Sequence, residues 1–87
     1  MFKILAKTLV DTTKVKDSYV YVSDEDFEID NFDSYLNEIC YELDIPNPVV
    51  LVKHLKNFIL FNYTTFFEED FVEHIHFEKL VLEYMKI

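Results

Sequence analysis

The run Phe2-Lys3-Ile4-Leu5-Ala6-Lys7-Thr8-Leu9-Val10 decides the fold class, because its polarity repeats every second residue. Phe2, Ile4, Ala6 and Val10 point one way, and Lys3, Leu5, Lys7 and Leu9 the other. That is the period of a strand with one well-buried face. Asp11-Thr12-Thr13-Lys14 follows as a polar turn, without the Asn-Gly pair that fixes a tight hairpin. Ser18-Tyr19-Val20-Tyr21-Val22 is β-branched and aromatic and predicts a second strand, antiparallel to the first.

After an acidic connector over Ser23–Ile29 the period changes. Phe32, Tyr35, Leu36, Ile39, Cys40 and Leu43 fall on one helical stripe, with Asp33, Asn37, Glu38 and Glu42 opposite. Asp30 or Asn31 caps this helix, Asp33 suits the positive end of its dipole, and Pro46 ends it. Asn47-Pro48 reads as a cap followed by proline at the first helical position, which predicts a second helix from Pro48. Its apolar face is expected to be Val52, Leu55 and Phe58 or Ile59, with Lys53, Lys56 and Asn57 outward. The β-formers of Phe58–Phe67 place a third strand near Leu60–Phe66, and Glu68-Glu69-Asp70 makes a turn. Phe77–Met85 fits either a helix or a strand, and a strand completing the sheet is the better reading. The expectation is one α+β domain over residues 1–87: a small antiparallel sheet of three to four strands against two helices, in the order β-β-α-α-β-β.

Composition excludes several functions. The chain has 87 residues, half of them hydrophobic, with nine Phe and six Tyr, which is enough apolar surface for a core without disulfides or metal. Cys40 is the only cysteine, so no intramolecular disulfide forms. Lysines interrupt the N-terminus before an apolar run of signal-peptide length, and no stretch approaches the ~20 apolar residues of a membrane span. A cytoplasmic protein is expected. There is no glycine and no arginine. A phosphate-cradling loop or dinucleotide fingerprint needs glycine for close backbone approach, and bidentate recognition of phosphate or guanine needs arginine. No cofactor is expected.

The net charge of −9 is segregated. Ten acidic residues and no lysine lie between Asp17 and Val52, whereas the remainder carries eight lysines against seven acids. Such a field repels nucleic acid and anionic membrane and favours a basic partner or cations.

The Lys-rich N-terminal strand, the Asn31-Phe32-led helix, Glu42-Leu43-Asp44-Ile45-Pro46 with Pro48, and the Lys53-His54-x-Lys56 helix together resemble small uncharacterised proteins of low-GC Gram-positive bacteria. The resemblance covers nearly the whole chain and contains no catalytic signature. It implies a bacterial, cytoplasmic, stand-alone protein and assigns no residue a role.

Among chemistry-bearing constellations, His74-Ile75-His76 is the best metal candidate, because residues two apart on a strand face the same side. Glu73, Asp70 or His54 would supply a third ligand; two surface histidines are the plainer reading. Cys40 sits on an apolar stripe with acidic neighbours, which keeps it a thiol packed in the core rather than a nucleophile. Ser18, Ser23 and Ser34 lack a nucleophile-elbow context. The alternation from Asp24 to Asp30 fails as a calcium loop, because its sixth position is Ile29 and its twelfth Tyr35. Tyr63, Phe66 and Phe67 have the character of a stacking platform but lack the basic groove that accompanies one, so core or subunit contact is expected.

Three functions remain in competition. An interaction module or small regulator without catalysis, working with an unknown protein partner or as a homodimer, follows from the aromatic excess, which leaves some rings at the surface. An acidic mimic that occupies a basic nucleic-acid site follows from the charged segment, with Asp33, Glu38 and Glu42 as its face. A small metal-dependent enzyme would use His74 and His76.

Overall fold

The structure is a computed structural model that describes residues 1–11 and 13–86. Four strands form one antiparallel sheet: β1 (Phe2–Val10), β2 (Lys14–Ser23), β3 (Tyr63–Phe67) and β4 (Lys79–Lys86), in spatial order β2-β1-β4-β3. Helices α1 (Phe32–Leu43) and α2 (Val52–Phe61) lie between β2 and β3 in sequence, so the β-β-α-α-β-β order holds. The ambiguous tail is a strand. It enters the middle of the sheet, paired with β1 on one side and β3 on the other.

β1 behaves as its alternation predicts. Phe2, Ile4, Ala6 and Thr8 are fully buried on the inner face, while Lys3, Leu5, Lys7 and Leu9 keep part of their surface. Thr8 shares the inner face by the same alternation, and just beyond it β2 carries one extra residue: the register steps from Thr8↔Asp17 to Leu9↔Val15. The Thr8 hydroxyl accepts the Asp17 N–H at 3.1 Å, which satisfies a ladder position disturbed by the bulge.

Both helices cover the inner face, α1 over the β2 side and α2 over the β3 side. From α1, Phe32, Tyr35, Leu36, Ile39 and Cys40 are buried, and Leu43 packs at the margin. Phe27, from the acidic connector, inserts among the rings of Phe2, Tyr35, Phe58 and Tyr84 at centroid distances of 5.3 to 5.6 Å. Phe58 meets Phe32 edge-on at 5.3 Å, so these aromatics join both helices to the sheet.

Three expectations are corrected. The second helix begins at Val52 rather than Pro48. Val49 donates its N–H to the Asp70 carbonyl at 2.8 Å, and that tertiary bond keeps the chain before Val52 extended. The buried face of α2 is His54 and Phe58 with Leu55 half-buried, whereas Val52 and Ile59 are exposed. The later start turns the helix, and β3 begins only at Tyr63 because α2 runs on to Phe61.

A chain without glycine still needs left-handed residues, and Asp11, Asp44 and Asn62 take them, with φ of 51°, 56° and 64°. Asp44 closes α1: its N–H bonds the Tyr41 carbonyl, and the Ile45 N–H bonds the Cys40 carbonyl at 3.0 Å. This is a Schellman motif built on aspartate, whose charge opposes the negative end of the helix dipole. Asp44→Gly is therefore expected to raise unfolding free energy by about 1 kcal/mol, and Asp44→Val to lower it by at least about as much. Urea denaturation midpoints measure both; equal midpoints would contradict the account.

Candidate functional site

The most deeply placed ionisable pair is one the sequence did not bring together. His54, in the first turn of α2, and Asp70, in the short 3-10 turn after β3, have side chains 2% and 5% exposed. His54 Nε2 lies 3.3 Å from Asp70 Oδ2, and Nδ1 accepts the Leu51 N–H at 2.9 Å. Because Nδ1 is an acceptor, the ring proton sits on Nε2 and is donated to the carboxylate. The same Oδ2 accepts the Phe67 N–H at 2.9 Å, and the imidazole lies over Phe66 at 4.3 Å. The Leu51 contact is the reciprocal half of a capping box, with histidine in place of Glu or Gln.

This arrangement resembles the base and orienting acid of a hydrolase triad, but its chemistry differs. Both ring nitrogens are engaged within the fold, so the pair lacks the free nitrogen of a general base. It anchors the start of α2 to the end of β3. Burial holds the His54 pKa below the ordinary imidazole value, Asp70 pulls it back upward, and Lys53 adds a small further depression.

His74 and His76 lie between the 3-10 turn and β4, outside any strand. The alternation survives there, since Ile75 and Phe77 are buried and both imidazoles are exposed, edge to face at 4.8 Å. They line a cavity of about 230 Å³ with Lys16, Asp17 and Asp44. Lys16 crosses it to donate to the His76 carbonyl at 3.2 Å. Of the expected third ligands, His54 and Asp70 are bound to each other in the core, and Glu73 lines a different cavity beside Asn37 and Asn47. No group of three His, Cys, Asp or Glu able to hold a metal occurs among the described residues. Cys40 is buried, and burial pushes its thiol pKa up to about 12, so it is inert at neutral pH.

Asp33, Glu38 and Glu42 are all exposed on α1, but they do not share one face. At about 100° per residue, Glu38 and Glu42 are neighbours, and Asp33 points to the other side. Burial, together with the nearby charges of Glu38 and Glu42, raises the pKa of Tyr19 on β2. Part of the acidic face therefore lies against β2.

The outer face of the sheet is covered by neither helix. The register places Val22, Lys3 and Met85 side by side at one end, followed by Val20, Leu5, Glu83 and Tyr63. The next row is Ser18, Lys7, Val81 and Thr65, and the last is Val15, Leu9, Lys79 and Phe67. Nine of these fifteen positions are apolar or aromatic, and Val22, Tyr63, Phe67 and Met85 are each about half exposed. The charges are three lysines and Glu83, which pairs with Lys7 at 3.1 Å. The face thus has the opposite sign to the acidic segment. Its signal was present in Leu5, Leu9, Val20 and Val22, whose positions would otherwise be polar in a sheet facing water.

No family model, curated protein or solved structure matches this chain, so no residue role comes from a relative.

His54 sets a pH dependence. Its folded-state pKa is depressed, so its stabilisation is complete above the unfolded value of 6.5 and is lost as pH falls below that value towards the folded one. His54→Gln keeps an acceptor for the Leu51 N–H and removes the titration. It is expected to cost about 1–3 kcal/mol at pH 7.5, and to flatten the decline of stability below about pH 6.5 relative to the parent. Unfolding free energies at several pH values check this; parallel curves would contradict it.

Proposed function

We propose that this protein is a protein-interaction module without catalysis, and that its working surface is the bare outer face of the sheet. One observation carries the reading: a four-stranded sheet is covered by two helices on one side only, and its other side is mostly apolar. An antiparallel sheet that faces water shows polar residues on that side. Here Leu5 and Val81 occupy the middle strands and Val20, Val22, Tyr63 and Phe67 the edges. A largely apolar surface of this kind, interrupted at its centre by the Lys7–Glu83 ion pair, is typical of contact sites.

The acidic mimic is the weaker reading. Glu38 lies near Tyr19 of β2, and Asp33 projects from a different side of α1, so the three carboxylates do not form one face. Metal-dependent catalysis is weaker again, since two imidazoles alone give a loose site and the buried dyad is fully engaged.

A photoreactive residue placed at Val20, on the outer face, or at Glu38, on the acidic helix, separates these surfaces in the native cell. Discrete protein adducts from position 20 and not from position 38 are expected. Adducts only from position 38 would move the interaction to the acidic helix, and none from either would overturn the module.

A further inference from the structure

We infer that the occupant of the outer sheet face is a second copy of this chain, packed face to face with its strands steeply crossed. The inference rests on the interaction-module reading and adds the identity of the partner. It follows from how charge is distributed over the face.

Each central strand carries one charged and one apolar residue at the centre of the face, and they alternate. Leu5 stands beside Glu83, and Lys7 stands beside Val81. One diagonal of the face, Val22–Leu5–Val81–Phe67, is wholly apolar; the other passes through Lys7 and Glu83. In an isologous pair, a two-fold axis between the sheets decides which residues meet.

Four simple placements of that axis can be compared. An axis along the strands sets Leu5 over Glu83 and Lys7 over Val81, which buries charge against hydrocarbon. An axis across the strands sets Leu5 over Lys7 and Val81 over Glu83, with the same fault. An axis along the charged diagonal sets Lys7 on Lys7 and Glu83 on Glu83. An axis along the apolar diagonal sets Leu5 on Leu5, Val81 on Val81, and Lys7 on Glu83 twice.

Only the last placement is free of like-charge and charge-on-apolar contacts at the centre. It leaves Lys3 and Lys79 in the two end rows of the face, from which their ammonium groups reach water. With strands about 4.8 Å apart and same-face residues about 6.7 Å apart, this axis crosses the two sets of strands at roughly 70°, close to the orthogonal mode of sheet packing. A face four strands wide and four rows long covers on the order of 500 Å² per copy, below the ~800 Å² of a standard interface. The dimer is therefore expected to be weak, with dissociation in roughly the 10–100 μM range.

Sedimentation velocity across that range tests the pairing with Lys7→Glu, Glu83→Lys and an equimolar mixture of the two. The parent is expected to dimerise. Each variant alone opposes like charges twice across the interface, and also turns the Lys7–Glu83 pair within each copy into a like-charge pair, so it should dimerise at least ten-fold more weakly. Their mixture restores both Lys–Glu contacts and should form a heterodimer of near-parental affinity. Circular dichroism of each variant verifies folding, and the mixture itself controls for damage, because misfolded variants would not rescue each other. A parent dimer that ignores both substitutions, or a mixture that stays monomeric, would overturn the assigned packing. A parent that stays monomeric throughout would overturn the second copy as partner. In that case adducts from Val20 to a different protein would leave the interaction module standing, and their absence would remove both.

Discussion

Everything in this fold depends on β1 having neighbours on both edges and helices on one face only. With β2 on one side and β4 on the other, its backbone groups are taken up by the ladder along most of its length. Its side chains then divide. The even-numbered residues from Phe2 to Thr8 are sealed beneath α1 and α2, and the odd-numbered ones from Lys3 to Leu9 lie on a surface that no other element reaches. Two helices suffice for one face of a four-stranded sheet and not for two. The second face must either be polar or find cover from outside the chain, and in this protein it is largely apolar.

The inner face is held by two kinds of contact. Aromatic rings from β1, the acidic connector, both helices and β4 interlock around Phe27, so a segment that is otherwise charged is pinned by one side chain. At the far end, where rings give way to backbone turns, the His54–Asp70 pair satisfies the N–H groups of Leu51 and Phe67 that burial would leave unmet. A neutral imidazole donating to a carboxylate, with its other nitrogen already accepting, is a structural part rather than a reagent. Cys40, buried and kept as a thiol, belongs with it.

Most of the architecture was legible in the sequence because it is written in local periods. The alternation of residues 2–10 and the stripe of Phe32–Leu43 each gave the buried face, apart from Thr8, a polar residue that the alternation carries inward, and Val10, which is only half-buried at the end of the strand. The start of α2 was not legible. Asn47-Pro48 is a fair helix signal, but the Val49 N–H is claimed by Asp70, a residue 21 positions away, and no local rule sees that bond. The same distance hid the His54–Asp70 pair. The burial of His54 depends on the helix beginning at Val52. The outer face was half visible: Leu5 and Leu9 broke the polar side of β1, but their meaning required the register that sets Val20, Val81 and Tyr63 beside them.

Charge adds a second layer to the same asymmetry. The acidic connector and α1 lie on the covered side, whereas the open face carries Lys3, Lys7 and Lys79 with Glu83 as its one carboxylate. A strongly acidic chain thus presents a mildly basic, apolar surface, a feature that net charge alone conceals. The most direct test of that surface is methyl NMR with a soluble paramagnetic probe, at low and at high protein concentration. The account predicts that the methyl groups of Leu5, Val20 and Val81 are broadened in dilute solution and protected in concentrated solution, while those of Val52 and Leu60 on α2 stay broadened in both. Outer-face methyl groups that remain equally accessible at every concentration, with protection on α2 instead, would contradict it.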